Sequence, residues 1–112
     1  MTKYDLEGRL LAFSKSVFIF SKTIKQEATN KPIISQLVRS SGSVGANYIE
    51  ANEALSKKDF VYRVKIARKE AKESAYWLEI ISDYDNTGQA KKLLEESVEI
   101  KKILSAIILK SE

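Results

Sequence analysis

The stretch 57-KKDFVYRVKIARKEAKESAYWLEIISDY-84 decides the fold. Within it Phe60, Val64, Ala67, Ala71, Ser74, Leu78 and Ile81 recur at alternating spacings of four and three residues. That period puts all of them on one stripe of an α-helix and does not fit the two-residue alternation of a strand. Ser56 stands where an N-cap belongs, and Asp59, three residues on, supplies a weaker form of the capping box. Asp85-Asn86-Thr87-Gly88 is turn-forming by composition and closes the segment. A helix is expected over about 57–84.

The same period extends to both sides. Leu6, Leu10, Phe13, Val17, Phe20 and Ile24 keep the four-three spacing and predict a helix over about 4–26. Ala28-Thr29-Asn30-Lys31-Pro32 breaks it, with Thr29 or Asn30 available as a cap and Pro32 suited to a first turn. The next helix covers about 31–54, with Ile34, Leu37, Val38, Ser41, Val44, Tyr48, Ile49 and Leu55 on its inner side. Its middle, Ser40 to Ala46, holds Gly42 and Gly45, each costing about 1 kcal/mol against alanine. A loop there is the alternative. A continuous helix is preferred because the apolar phase is kept, and small residues let a neighbouring helix approach closely. The last helix spans about 89–110, where Ile100, Ile103, Leu104, Ile107 and Ile108 form an arc wider than one seam needs. Short connections make successive helices antiparallel, so the expected fold is all-α: one domain over residues 1–112, an up-down-up-down four-helix bundle.

Composition narrows the function. A chain of 112 residues with 44% hydrophobic content can bury roughly two-thirds of its unfolded surface without staples. There is no cysteine, hence no disulfide and no thiolate ligand, and no histidine, hence no usual neutral-pH base. Ser-His-Asp catalysis and the Glu-x-x-His di-iron signature are excluded on that ground. Gly42 and Gly45 lack the Gly-Lys-Ser/Thr ending of a phosphate loop. The longest apolar runs, Val17 to Phe20 and Ala106 to Leu109, fall far short of the roughly 20 residues of a membrane span. The expectation is a cytoplasmic protein with no membrane contact, no cofactor, no metal, no small-molecule substrate and no catalytic residue.

Two Glu-x-x-Glu pairs, Glu50/Glu53 and Glu70/Glu73, raise the alternative of a Mg²⁺-dependent nucleotide pyrophosphohydrolase. Reflecting the hairpin about Leu55 and Ser56 puts Glu50 roughly 8 Å from the turn and Glu70 roughly 22 Å from it, so the pairs could not share an ion. The same reflection brings Glu70 level with Ser41 and Glu73 level with Val38, with Arg39 at the height of both acids. Gln36, Arg39, Ser43, Asn47 and Glu50 fall within about 80° on the other side of their helix from its apolar stripe. Ile66, Glu70, Glu73, Trp77 and Ile80 form a second stripe outside the first on helix 57–84. Two solvated faces are the plain reading. Trp77 flanked by two isoleucines argues instead for burial against another helix or another subunit, with Arg39 neutralising Glu70 or Glu73.

Between positions 57 and 72 there are seven Lys/Arg against Asp59 and Glu70, a local +5 where the whole chain carries +4. Lys57, Lys58, Lys65, Arg68, Lys69 and Lys72 share an arc of about 120°, with Tyr62 and Tyr76 at or near its edge. Such a stripe is the footprint expected of phosphate-backbone binding, salt-sensitive and independent of sequence. Its plain alternative is a solvated face that supplies solubility.

The stretch Ser35-Gln36-Leu37-Val38-Arg39-Ser40-Ser41-Gly42-Ser43-Val44-Gly45-Ala46-Asn47-Tyr48-Ile49-Glu50-Ala51 resembles the central motif of bacterial four-helix-bundle proteins first noticed as reading frames within intervening sequences of large-subunit ribosomal RNA. Ser56 to Phe60, Ile66 to Leu78 and the Asp5-Leu6 opening are similar too, so the resemblance spans nearly the whole chain. It implies a homo-oligomeric bundle, commonly a ring-like pentamer, without known catalysis. The family's polar positions carry over to Gln36, Arg39, Ser43, Asn47 and Glu50, and its acidic pair to Glu70 and Glu73. This chain has Gly45-Ala46 where many relatives carry Pro-Ser, and Ala51 where many have Gly, departures that touch helix geometry more than polar roles. Distant relatives act as accessory proteins to reverse transcriptases, which bears on nucleic acid by analogy alone. The expected function is a non-enzymatic, self-associating scaffold with RNA or DNA backbone as ligand; a protein-protein adaptor without nucleic acid is the runner-up.

Overall fold

Thr2 starts the first helix. Its hydroxyl accepts from the Asp5 amide at 3.1 Å while the Asp5 carboxylate accepts from the Thr2 amide at 2.9 Å, a complete capping box. The computed structural model describes residues 1–112 and holds four helices, α1 (Lys3–Thr23), α2 (Lys31–Asn52), α3 (Lys57–Ser82) and α4 (Gln89–Ser111). Helix α1 stops short of the expected 26 because Ile24 turns extended at φ −87°, ψ 128°. Asn30 holds the N-cap position of α2, but its side chain ties the connection instead of bonding a helix amide. Its amide donates to the Lys25 carbonyl at 3.1 Å, and its carbonyl accepts from the Glu27 N–H at 2.7 Å. Pro32 occupies the first turn of α2, where its missing N–H costs nothing.

Helix α2 runs unbroken through both glycines. A Cβ on Gly45 would stand 3.4 Å from the Leu10 Cβ, and one on Gly42 3.6 Å from the Ser14 hydroxyl. The low-propensity middle of α2 is therefore the place where α1 comes closest. Ser56 caps α3 by accepting from the Asp59 amide at 3.1 Å, without the reciprocal carboxylate bond. Asp85 organises the start of α4. It accepts from the Ala90 amide at 2.9 Å, the Thr87 amide at 3.2 Å and the Thr87 hydroxyl at 2.8 Å. These bonds outweigh the burial that opposes them and hold the Asp85 carboxyl below its ordinary range. Gly88 follows at φ 81°, a conformation that strains any residue with a Cβ.

Cross-helix bonds fix the directions. Asn52 of α2 donates to Glu7 of α1 while Gly42 faces Ser14, so position numbers fall on one helix as they rise on the other. Arg63 reaches Asn47 and Ser74 meets Ser40 between α3 and α2. Lys65 reaches Glu112 and Arg68 reaches Ser105 between α3 and α4. Arg9 of α1 holds Glu96 of α4 through both carboxylate oxygens at 2.9 and 2.8 Å, and Leu6 lies beside Ile103 and Ile107. Every neighbouring pair is antiparallel, and the diagonal pairs α1–α3 and α2–α4 bring no Cα atoms within 8 Å. The result is an up-down-up-down bundle measuring 44 × 23 × 19 Å.

Its core is a single cluster drawn from all four helices, centred on Leu10, Leu37, Val64, Ala71, Leu78 and Leu104. The deciding stripe of α3 is buried from Val64 to Ile81, with Phe60 half-buried at its end. Two residues expected inside are out. Tyr48 takes the buried place, so Ile49, about 100° further round the helix, faces solvent. Leu55 lies in the turn beyond α2 and is 98% exposed. Ile103 and Ile107 of the wide arc on α4 are half-buried against the core, which absorbs much of the surplus.

Candidate functional site

Glu70 is the one buried charge in the bundle, 8% exposed at the seam between α2 and α3. A carboxylate so placed must be paired, because an isolated buried charge costs several kcal/mol or changes protonation state. The Arg39 guanidinium supplies the partner. Its two terminal nitrogens donate to the two Glu70 oxygens at 3.2 and 3.3 Å, one of them also binds Glu73, and its Nε donates to Gln36 at 3.1 Å. The Trp77 indole N–H completes the set by donating to Glu73 at 2.9 Å. The indole bond, together with the Arg39 charge, holds the Glu73 carboxyl below its ordinary range against the opposing effect of burial. The bonds from Glu70, then Glu73, raise the affinity of Arg39 for its proton in turn.

Beneath this network the Ser40 and Ser74 hydroxyls meet at 2.8 Å inside the core, and Ser74 also donates to the Glu70 carbonyl. No buried side-chain polar atom lacks a partner. Reflection of the hairpin therefore identified the right heights: Arg39 meets both acids. Ser43 and Asn47 do something more local. Ser43 donates back to the Arg39 carbonyl, and Asn47 donates to the Ser43 carbonyl while accepting from Arg63 at 3.3 Å. Glu50 stays exposed near Glu53, Asp59 and Arg63 at the α2–α3 turn, away from Glu70 and Glu73. No group of three or more Asp or Glu is placed to hold a metal ion. Chemically the seam is a closed set of ion pairs that locks the register of α2 on α3.

On the outer side of α3, Lys57, Lys58, Lys65, Lys69 and Lys72 are exposed, with Tyr62 and Tyr76 among them. Arg68 is different. It is half-buried and turned toward α4, where it donates to the Ser105 hydroxyl at 3.4 Å. Lys65 leans the same way, 3.4 Å from Glu112. The stripe that sequence places within one arc is thus a face of exposed lysines, Lys65 paired with Glu112 and Arg68 turned to the edge.

A third surface was not singled out from sequence. Leu11, Phe18 and Ile19 point outward from α1 with 53%, 54% and 63% of their surface exposed, and Ile49 of α2 is 47% exposed. The contact of Leu10 with Gly45 sets the level, so Leu11 and Ile49 flank the same shallow saddle over Gly42 and Ala46. Tyr4 continues the line at the end where Leu55 projects. The signal was present: Tyr4, Leu11 and Phe18 repeat every seven residues in opposite phase to the buried stripe. Single exposed apolar residues are ordinary on soluble proteins, whereas a contiguous row of them marks a contact.

Residues 6–106 match the family model described as 23S rRNA-intervening sequence protein. The chain is also similar to a solved structure, that of a protein with unknown function from the S23 ribosomal protein family of Bacteroides thetaiotaomicron. The two superpose with a TM-score of 0.83 at 34% sequence identity, over 92% of this chain and 97% of that one. No curated protein matches the chain.

Proposed function

This chain belongs to the 23S rRNA-intervening sequence protein family, and from that premise we propose that it is a non-enzymatic scaffold that assembles with copies of itself and presents the lysines of α3 to nucleic-acid backbone. The observation that carries the reading is the outward apolar row of α1 and α2. Leu11, Phe18, Ile19 and Ile49 contribute nothing to the bundle's own core, and leaving about half of each side chain wet forfeits roughly 1 kcal/mol apiece that burial would return.

Charge favours a second copy as the occupant. Lys15 and Lys22 stand exposed beside the row on α1, Lys22 over the Phe18 ring at 5.5 Å, and the exposed Glu50 and Glu53 lie at the C-terminal end of α2 by the α2–α3 turn. Basic residues on α1 and acidic residues at the end of α2 let two copies meet with opposite charges facing. The half-buried stripe of Ile66, Trp77 and Ile80 lies on the other flank of α2 and is the lesser candidate, since Trp77 is already engaged by Glu73 within the chain. Assembly multiplies the lysine faces and so raises the avidity for a polyanion.

Self-association is tested by native mass from light scattering on the wild type and on a Leu11→Lys/Phe18→Lys variant. A multiple of 12.7 kDa for the first and a helical monomer for the second are expected. A wild-type monomer at high concentration would refute the reading.

A further inference from the structure

Resting on the reading that the lysine face of α3 takes nucleic acid, we infer that this face selects single strands, with Tyr62 and Tyr76 acting as stacking platforms for unpaired bases. Both tyrosines are 61% exposed, the same as each other and far more than a core or seam aromatic of this bundle. Neither hydroxyl bonds to anything within the chain. At about 100° per residue, Tyr76 falls within roughly 40° of Lys58, Lys65, Lys69 and Lys72, and Tyr62 within about 20° of Lys69. The rings therefore stand among the lysines and on the same side of the helix.

One acid reaches the edge of the face, Glu112, which lies 3.4 Å from Lys65 and leaves Lys58, Lys69 and Lys72 without an ion-pair partner. Of the carboxylates between Lys58 and Tyr76, Glu70 and Glu73 are held by Arg39, and Asp59 lines the concave α2–α3 turn with Glu50, Glu53 and Arg63 on one side of Tyr62, whose other side borders Lys57, Lys58 and Lys65. Tyr76 is braced as well. Its ring meets Trp77 at 5.0 Å between centroids and 76° between planes, and Trp77 is fixed through Glu73 to Arg39. The seam that locks α2 on α3 thereby holds an exposed ring in a set orientation, and a preformed platform loses less entropy when a base stacks on it.

Separation decides the kind of strand. Tyr62 and Tyr76 are 14 positions apart, about 21 Å along the helix axis, with Lys65, Lys69 and Lys72 between them. A duplex offers such a face only phosphates, since its bases are stacked inside. A single strand offers phosphates to the lysines and unpaired bases to both rings, and each base-aromatic stack adds to affinity whatever the base.

The test is fluorescence anisotropy at low salt with labelled oligo(dT) and with the oligo(dT)·oligo(dA) duplex of the same length. The wild type is expected to bind the single strand about tenfold or more above the duplex. A Tyr62→Leu/Tyr76→Leu variant, checked for wild-type helicity, is expected to lose roughly tenfold or more on the single strand and to keep its duplex affinity within about twofold. A Tyr62→Phe/Tyr76→Phe variant keeps the rings and should bind as the wild type does. Equal binding of both probes by the wild type overturns the inference, as does undiminished single-strand binding by the leucine variant. Absence of binding to either probe would instead remove the nucleic-acid reading of the lysine face itself.

Discussion

The two flanks of α2 treat their side chains in opposite ways. Toward α3 the contacts are charged and closed: Arg39, Glu70, Glu73 and Trp77 satisfy one another within one chain. Toward α1 the helices touch through glycines, and the apolar side chains above them, Leu11, Phe18 and Ile49, are left in solvent. A finished monomer has reason to do the reverse, since solvating charge is cheap and solvating hydrocarbon is not. The closed flank sets the register of α2 on α3, and the open flank is the contact surface of the proposed assembly, in which the bundle is a subunit.

The largest effect of breaking this contrast falls on the closed flank. Arg39→Ala leaves Glu70 buried without its partner and is expected to cost about 2–3 kcal/mol, below the 3–5 kcal/mol of a fully buried pair because Arg39 is itself half in solvent. Thermal denaturation followed by circular dichroism measures it, and a loss under about 0.5 kcal/mol would show that the seam is ornamental to stability. By comparison, Leu11→Lys in the monomeric form should change stability by no more than about 0.5 kcal/mol, as for other exposed positions.

Acid separates the flanks next. The Glu73 carboxyl lies below its ordinary range in the folded chain, held there by the Trp77 indole and Arg39. Its contribution is therefore complete above the unfolded glutamate value of about 4.3 and is lost as pH falls through the folded value. Asp5 and Asp85 shift in the same direction, so stability should decline below about pH 4.5. Glu73→Gln should flatten part of that decline. A melting temperature independent of pH between neutrality and about pH 3 would contradict the assignment. Salt sharpens the contrast from the other side, because an apolar contact does not weaken as ionic strength rises, whereas oligonucleotide binding by the lysine face should.

The smallest effect concerns the saddle. Gly42→Ala meets only the Ser14 hydroxyl at 3.6 Å and should stabilise α2 by about 0.5–1 kcal/mol through helix propensity. Gly45→Leu, against Leu10 at 3.4 Å, should instead destabilise by about 1–3 kcal/mol. Stabilisation by both substitutions would contradict a close approach of α1 to α2 at Gly45.

Much of this was legible in the sequence, for reasons that particular residues make plain. The four-three spacing of α3 picked out its buried stripe because no other period fits Val64 to Ile81. The height of Arg39 against Glu70 and Glu73 followed from helical rise and a short turn. Phase errors arose where periodicity is ambiguous. Tyr48 and Ile49 are adjacent, and only one can face the core, a choice made by packing against α1 rather than by spacing. Helix ends were drawn too long at 26, 54 and 84 because apolar residues continue past the last helical hydrogen bond. Arg68 was placed by angle alone, which says nothing of its reach across to Ser105. The outer row of α1 is not legible from spacing alone because exposure is a property of the assembled bundle. Tyr4, Leu11 and Phe18 stand out only once the inner stripe has claimed the other face.

Native mass by multi-angle light scattering tests most directly whether the α1–α2 flank is a contact between copies. The wild type should elute as a defined multiple of the 12.7 kDa chain, and Leu11→Lys/Phe18→Lys as a monomer with unchanged helical circular dichroism. A wild type that stays monomeric, or a double variant that keeps the wild-type mass, would contradict it.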